Sequence, residues 1–361
     1  MIIRALVVVL ALSLPTVAAA ATLPAPPPPR QDQVMAVPPA LQAQFRQQVT
    51  RLGGSQAQRL ERIVEFLFHD PGLGMKYRYD ATYTVEQAYQ TRHGNCLTFT
   101  LLAVALAREA GLDAYGQEIK ESLGWYREGD KIYRTVHVNA GVLIQKRQRF
   151  SVDVASDSVM ARYPPETVSD QRLLAHYYNN RAAELMGDGQ RAAAASYVAM
   201  SLQLDPGFAT SWSNAGVFLM QDGDLAAAQD HYSRALALDP AHPATLFNLA
   251  ALYRNTGDLT RARALTLRLE KAQINDPFHQ FLLATDYEKQ GDHALALKHY
   301  KRAIRLHGSE HRFHFGLART YLQLGDTRSA RKALARAEAL SEGDTRSLYV
   351  AKLDSLRQRG K

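Results

Sequence analysis

The rhythm of apolar and polar positions changes twice along the chain. Residues 40–52 and 55–69 repeat their apolar side chains at three and four, and Leu60, Ile63, Val64 and Leu67 form one stripe. This spacing predicts two amphipathic helices. Thr84 and Gln87 have the spacing of a capping box and predict a short helix ending near Thr91. Cys96 to Ala110 is almost continuously apolar and predicts a strong helix that stops at Gly111. The period then falls to two, predicting strands over Ala114–Ile119, Leu123–Arg127, Lys131–Ile144 and Arg149–Ala155. Glu128-Gly129-Asp130 and Gln145-Lys146-Arg147-Gln148 supply the turns. Helices followed by an antiparallel sheet predict an α+β domain over 40–160, and residues 161–174, with Pro164 and Pro165, form a linker.

The second half repeats itself. Gly189, Gly223, Gly257, Gly291 and Gly325 recur every 34 residues, and Asp224, Asp258, Asp292 and Asp326 follow four of them. An alanine stands five residues after each glycine: Ala194, Ala228, Ala262, Ala296 and Ala330. Small residues let paired helices approach and the Gly-Asp turns join them. The period and these positions resemble the tetratricopeptide repeat, which implies an all-α solenoid of five repeats over 175–344. Residues 345–361 then form a C-terminal capping helix.

At the other end, MIIRALVVVLALSLPTVAAAA (residues 1–21) has a positive start, an apolar centre and a small-residue end, the pattern of a secretory signal peptide. Residues 22–39 follow as a proline-rich linker. No later stretch is long and apolar enough to span a bilayer, so the expected product is soluble and exported, periplasmic or secreted. The balance of 46% apolar and 22% charged residues is that of a globular protein. There is one cysteine in 361 residues, which excludes an internal disulfide and a multi-cysteine zinc site, and no metal or cofactor motif is present.

That cysteine, Cys96, opens its helix directly after the turn formers Gly94 and Asn95. Unpaired N–H groups and the positive helix end favour a thiolate there and offer donors to an oxyanion. In YRTVHVNAG and RFSVDVA, period-two alternation puts His137 and Asp153 on polar faces, and pairing the valines inward brings both to one side. The imidazole can then take the thiol proton and the carboxylate can orient the ring. A cysteine opening a helix, then a strand histidine, then a strand aspartate is similar to the transglutaminase-like superfamily, including its bacterial cysteine-peptidase branch, over about 60–156. The resemblance implies a transglutaminase/papain-like fold, with Cys96 as nucleophile, His137 as general base and acid, and Asp153 as orienting carboxylate. Val138 and Asn139 stand where many members carry a tryptophan. Gln90, six residues before Cys96, is a candidate oxyanion donor, with a solvated helix residue as the plainer reading. Trp125 and Tyr126 fit either cleft lining or core.

Charge divides the solenoid. Residues 175–255 hold 4 basic and 7 acidic side chains, and residues 256–361 hold 20 and 12. A basic end on an exported solenoid suits an acidic partner segment or an anionic envelope surface. Candidate partner-binding residues are Phe247, Phe281 and Phe315, spaced by 34, with Arg254, Lys289, Arg312 and Arg319. Packing between repeats explains the phenylalanines equally well. The expected partners are a peptide or protein substrate and a protein on the concave face; no nucleic-acid motif is present. Two functions follow: an exported amide-bond enzyme working through an acyl-thioester, by hydrolysis or transamidation, or a non-catalytic envelope scaffold built on a degenerate enzyme fold.

Overall fold

The computed structural model describes residues 27–128, 131–154, 160, 161 and 163–358. The signal-like segment, the Gly129-Asp130 turn and residues 155–159 lie outside the described residues, as do the side chains of 120–136, Trp125 and Tyr126 among them. The first half contains α1 (Gln31–Val34), α2 (Pro39–Gln48), α3 (Gln56–Phe68), β1 (Lys76–Tyr77), α4 (Val85–Thr91), β2 (His93–Gly94) and α5 (Cys96–Glu109). The strands β3 (Asp113–Glu128), β4 (Lys131–Ile144), β5 (Gln148–Val152), β6 (Met160–Ala161) and β7 (Glu166–Val168) follow. Helix α5 is apolar all round and is buried from Leu97 to Ala107. Ser55 and Thr84 cap α3 and α4 in reciprocal boxes with Gln58 and Gln87.

The sheet is antiparallel, in the order β5-β4-β3-β6, with β7 also on β3. Where the sequence suggested two strands, β3 runs unbroken, and its register against β4 shifts between Ile119 and Gly124. That irregularity lies beside the Ile119–His137 pair, so the ladder is disturbed next to a candidate site residue. β5 ends at Val152, earlier than the alternation suggested. Residues 161–174 also differ from a plain linker. β7 pairs with Gly116–Glu118 and covers that edge of β3. Likewise the described part of 22–39 is packed: Val34 is buried, and Tyr178 donates to the Pro29 carbonyl at 2.6 Å.

The solenoid begins five residues earlier than its glycine period suggested, at α6 (Asp170–Gly187), because Ser169 caps the Arg172 amide. Its other helices are α7 (Arg191–Leu204), α8 (Ala209–Gln221), α9 (Leu225–Leu238), α10 (Pro243–Asn255) and α11 (Leu259–Ile274). They continue with α12 (Pro277–Lys289), α13 (His293–Leu306), α14 (His311–Gln323), α15 (Thr327–Ala339) and α16 (Gly343–Gln358). The repeat signature has a local cause. Each periodic glycine takes a positive φ, from +75° to +86°. The aspartate after it then caps the next helix, on Ala227, Arg261, Leu295 and Ser329. Ala228, Ala296 and Ala330 are fully buried, as are the rings of Tyr232 and Tyr300. Among the described residues no helix is long and apolar enough to cross a membrane.

A paired substitution checks this packing. A Cβ at Gly316 would lie 2.4 Å from the buried Tyr300 ring, whereas one at Gly187 meets nothing within 4 Å. Gly316→Ala is expected to destabilise by about 1–3 kcal/mol. Gly187→Ala is expected to be neutral or to stabilise by up to about 1 kcal/mol. Urea midpoints measure both; equal effects of the two changes would contradict the packing described.

Candidate active site

Cys96 is held from below and from the side. Asn95 caps α5, its Oδ1 accepting from the Thr98 amide at 3.0 Å and its carbonyl from Phe99 at 3.0 Å. The cap thereby leaves the first-turn amides of Cys96 and Leu97 to other acceptors. Gly94 must lack a side chain, because a Cβ there would stand 2.6 Å from Thr98 Cγ2. The Thr100 hydroxyl lies 2.8 Å from the Cys96 carbonyl and 3.2 Å from the Val138 carbonyl, and shares its proton between them. This joins the first turn of α5 to the strand that carries His137. Cys96 itself remains partly exposed.

The register of β4 on β5 pairs Ala140 with Val152. Continuing that alternation puts Asn139 opposite Asp153, with His137 two residues further along the same face. His137 Nε2 stands 2.9 Å and 2.8 Å from the two Asp153 oxygens, and Asn139 Nδ2 donates to Oδ2 at 3.1 Å. Nε2 is thus occupied by the carboxylate, and the ring also hydrogen-bonds Cys96. Burial disfavours charge on this ring, whose side chain is 3% exposed. The hydrogen bonds to Asp153 and Cys96, with their negative charge, outweigh burial and raise its pKa to about 9. The three residues singled out in the sequence therefore lie together in the order thiol, imidazole, carboxylate.

The transglutaminase-like superfamily matches residues 43–116, which include Cys96 and end before His137 and Asp153. Two tetratricopeptide repeat families match residues 179–243 and 281–345, and residues 219–284. The chain joins a transglutaminase-like domain to tetratricopeptide repeats. No curated protein matches it. Among solved structures, YrrB, described as a tetratricopeptide protein with an unusual peptide-binding site, is 19% identical with a TM-score of 0.26, over 50% of this chain and 92% of its own. MamA of Desulfovibrio magneticus RS-1 is 18% identical with a TM-score of 0.27, over 48% and 96%. PilF of Pseudomonas aeruginosa is 15% identical with a TM-score of 0.28, over 52% and 94%.

Two residues of the transglutaminase-like domain escaped the sequence reading. Asn139 was a departure from pattern, yet it holds the Asp153 carboxylate; its place two residues from His137 on one strand was the available signal. Tyr77 sits on β1 opposite Gly94. Although the residue is 53% exposed, desolvation of its hydroxyl, then electrostatic interaction with Cys96 and Asp153, pushes its phenol up to about 12, so it stays protonated. Gln90, the oxyanion candidate, is exposed on α4 and donates to Glu86 at 3.4 Å, four residues back. Val85 and Ala88 are buried, so the helix period turns Gln90 away from the domain core.

On the repeats, Phe247 is 57% exposed, but its periodic equivalents are not. Phe281 packs against Tyr300 and Phe313, and Phe315 stacks on Tyr349 at 4.9 Å. Arg319 bonds Glu288 at 2.6 Å and 3.0 Å, and Arg312 bonds Glu310 at 2.7 Å. Arg254 and Lys289 are exposed. A pocket of about 230 Å³ brings Phe315 and Arg319 together with Leu322 and Lys352. A larger one, about 350 Å³, is lined by Lys298, His299, Arg302 and Arg305 among others. Neither reaches Cys96.

The raised His137 value gives a pH test. The stability from its pairing is full below about 6.5 and is lost as pH rises through about 9. Asp153→Asn should lower the NMR titration midpoint of the His137 ring by about one unit or more. The stability difference between wild type and variant should shrink from pH 6 to pH 10. An unchanged midpoint near 9 in the variant would contradict the assigned cause.

Proposed function

We propose that this protein is an exported cysteine-dependent enzyme that hydrolyses amide bonds in a peptide or protein through an acyl-thioester, its repeats holding the substrate or a partner. The observation that carries this reading is the set Cys96, His137 and Asp153, with the imidazole bonded to both the carboxylate and the thiol. The reactive form is a Cys96 thiolate paired with the His137 imidazolium. Sγ attacks the carbonyl carbon, and the oxyanion that forms takes hydrogen bonds from first-turn amides of α5. When the tetrahedral intermediate collapses, the C–N bond breaks and the imidazolium gives its proton to the leaving amine. Neutral His137 then takes a proton from a water that attacks the thioester. The acid leaves, and thiolate and imidazolium are restored.

Asp153 keeps the ring oriented and supports its charge in both steps, and Asn139 keeps the carboxylate from turning. An amine in place of water would give transamidation by the same first step; water is the acceptor wherever a site does not exclude it. Export is supported by residues 1–21, with their single arginine, apolar run and terminal alanines. For the repeats, the basic charge of residues 256–361 supports an acidic segment of substrate or partner, with exposed Lys289 in that half and exposed Phe247 and Arg254 just before it as the first contacts.

Alkylation tests the reading. Iodoacetamide should label Cys96 in the folded protein rapidly near neutral pH, and His137→Ala should slow it by about tenfold or more. Slow labelling indifferent to His137 would overturn the enzyme reading in favour of the non-catalytic scaffold. A peptide substrate offered with a labelled amine separates the two outcomes of the thioester: release of free acid is expected, and dominant amine incorporation would overturn hydrolysis.

A further inference from the structure

Glu184 belongs to α6, the first helix of the solenoid, yet its carboxylate serves the transglutaminase-like domain. Its Oε1 accepts the Thr82 amide at 3.2 Å, while Arg181 holds the other oxygen. Thr82 is fully buried, and its hydroxyl accepts from Asn95 Nδ2 at 2.6 Å. Asn95 is the residue that caps α5. The neighbouring bonds make the same connection: Asn95 N and Thr98 Oγ1 both donate to the Ala81 carbonyl, at 3.0 Å and 2.8 Å, and Thr98 Oγ1 accepts from Tyr83 N at 2.8 Å. Residues 81–83 are therefore clamped between a carboxylate of the repeats and the helix turn that begins with Cys96.

We propose that Glu184 is a positioning residue for Cys96: through Thr82 and Asn95 it fixes the first turn of α5, so that the repeats complete the support of the thiol. This rests on the reading of Cys96 as nucleophile. The physical ground is that a first helical turn has no i−4 bonds of its own and opens readily unless its cap is held. Removing Glu184 strands the buried Thr82 amide, and the strain reaches the cap in two hydrogen bonds. The thiol then spends less time in line with His137.

The test uses the full chain. Glu184→Ala is expected to slow alkylation of Cys96 about tenfold, the effect of losing one well-placed hydrogen bond. The double variant Arg181→Met/Glu184→Gln keeps an amide oxygen for Thr82 and removes the cation that would otherwise lose its carboxylate. It is expected to label within about twofold of wild type. Labelling of Glu184→Ala at the wild-type rate, or a double variant as slow as Glu184→Ala, would overturn the proposal. If Glu184→Ala does not fold, Thr82→Val, which keeps the amide and loses the hydroxyl that joins Asn95 to this chain of bonds, should show the same slowing, and an unchanged rate overturns the proposal. Hydrogen exchange at the Thr98 and Phe99 amides separates this idea from the enzyme reading, since it needs no chemistry at Cys96. Exchange several-fold faster in Glu184→Ala is expected; unchanged exchange there defeats the proposal even if Cys96 is reactive, and slow His137-independent labelling of wild type defeats the enzyme reading alone.

Discussion

One hydroxyl fixes the geometry on which the candidate site depends. Thr100 lies within hydrogen-bond distance of the Cys96 carbonyl on α5 and of the Val138 carbonyl on β4. Helix and strand can then neither slide nor rotate against each other without breaking a buried bond. Because α5 is apolar on all sides, packing alone would hold it in place but would set its register only loosely. The threonine converts a greasy contact into a defined one, and it does so within one turn of the thiol and one residue of the imidazole.

Around that crossing point the polar groups form a short linked series, in which only the Asn139 amide oxygen is buried without a partner among the described residues. Asp153 is occupied by His137 and Asn139, the imidazole by Asp153 and Cys96, and Asn95 by Thr82 and the Thr98 amide. Buried polar groups that are paired in this way specify one arrangement, since each alternative leaves a donor or acceptor stranded. A histidine as buried as His137 would ordinarily be neutral. Here its two partners are both anionic or potentially so, and the balance goes to the charged ring. The same chemistry that would protonate a leaving amine thus also contributes to the stability of the fold below about pH 9.

Much of this was legible in the residues because it follows from local rules. A glycine at positive φ followed by a capping aspartate repeats every 34 residues, and each copy folds as its own short sequence dictates. The turn before Cys96 and the parity of His137 and Asp153 are equally local. What was illegible is non-local. The return of β7 to the sheet and the packing of Val34 and Pro29 both depend on partners far along the chain. Asn139 and Tyr77 were missed for the same reason: their roles come from what stands opposite them across a strand pair. The nearness of Gln90 in sequence to Cys96 says nothing about which side of α4 it occupies, and there it is exposed beside Glu86. The phenylalanine period was real, yet only Phe247 stayed exposed, since the rings after it found neighbours in the next repeat.

The central claim is that Cys96 forms a covalent bond to an acyl group. Intact-mass spectrometry after brief exposure to a peptide ester and acid quench reads that bond directly. The account predicts one acyl group per chain, mapped to Cys96, absent in Cys96→Ser, and decaying in water at a rate that falls in His137→Ala. A folded protein that acquires no acyl group, or acquires it at a residue other than Cys96, would contradict it.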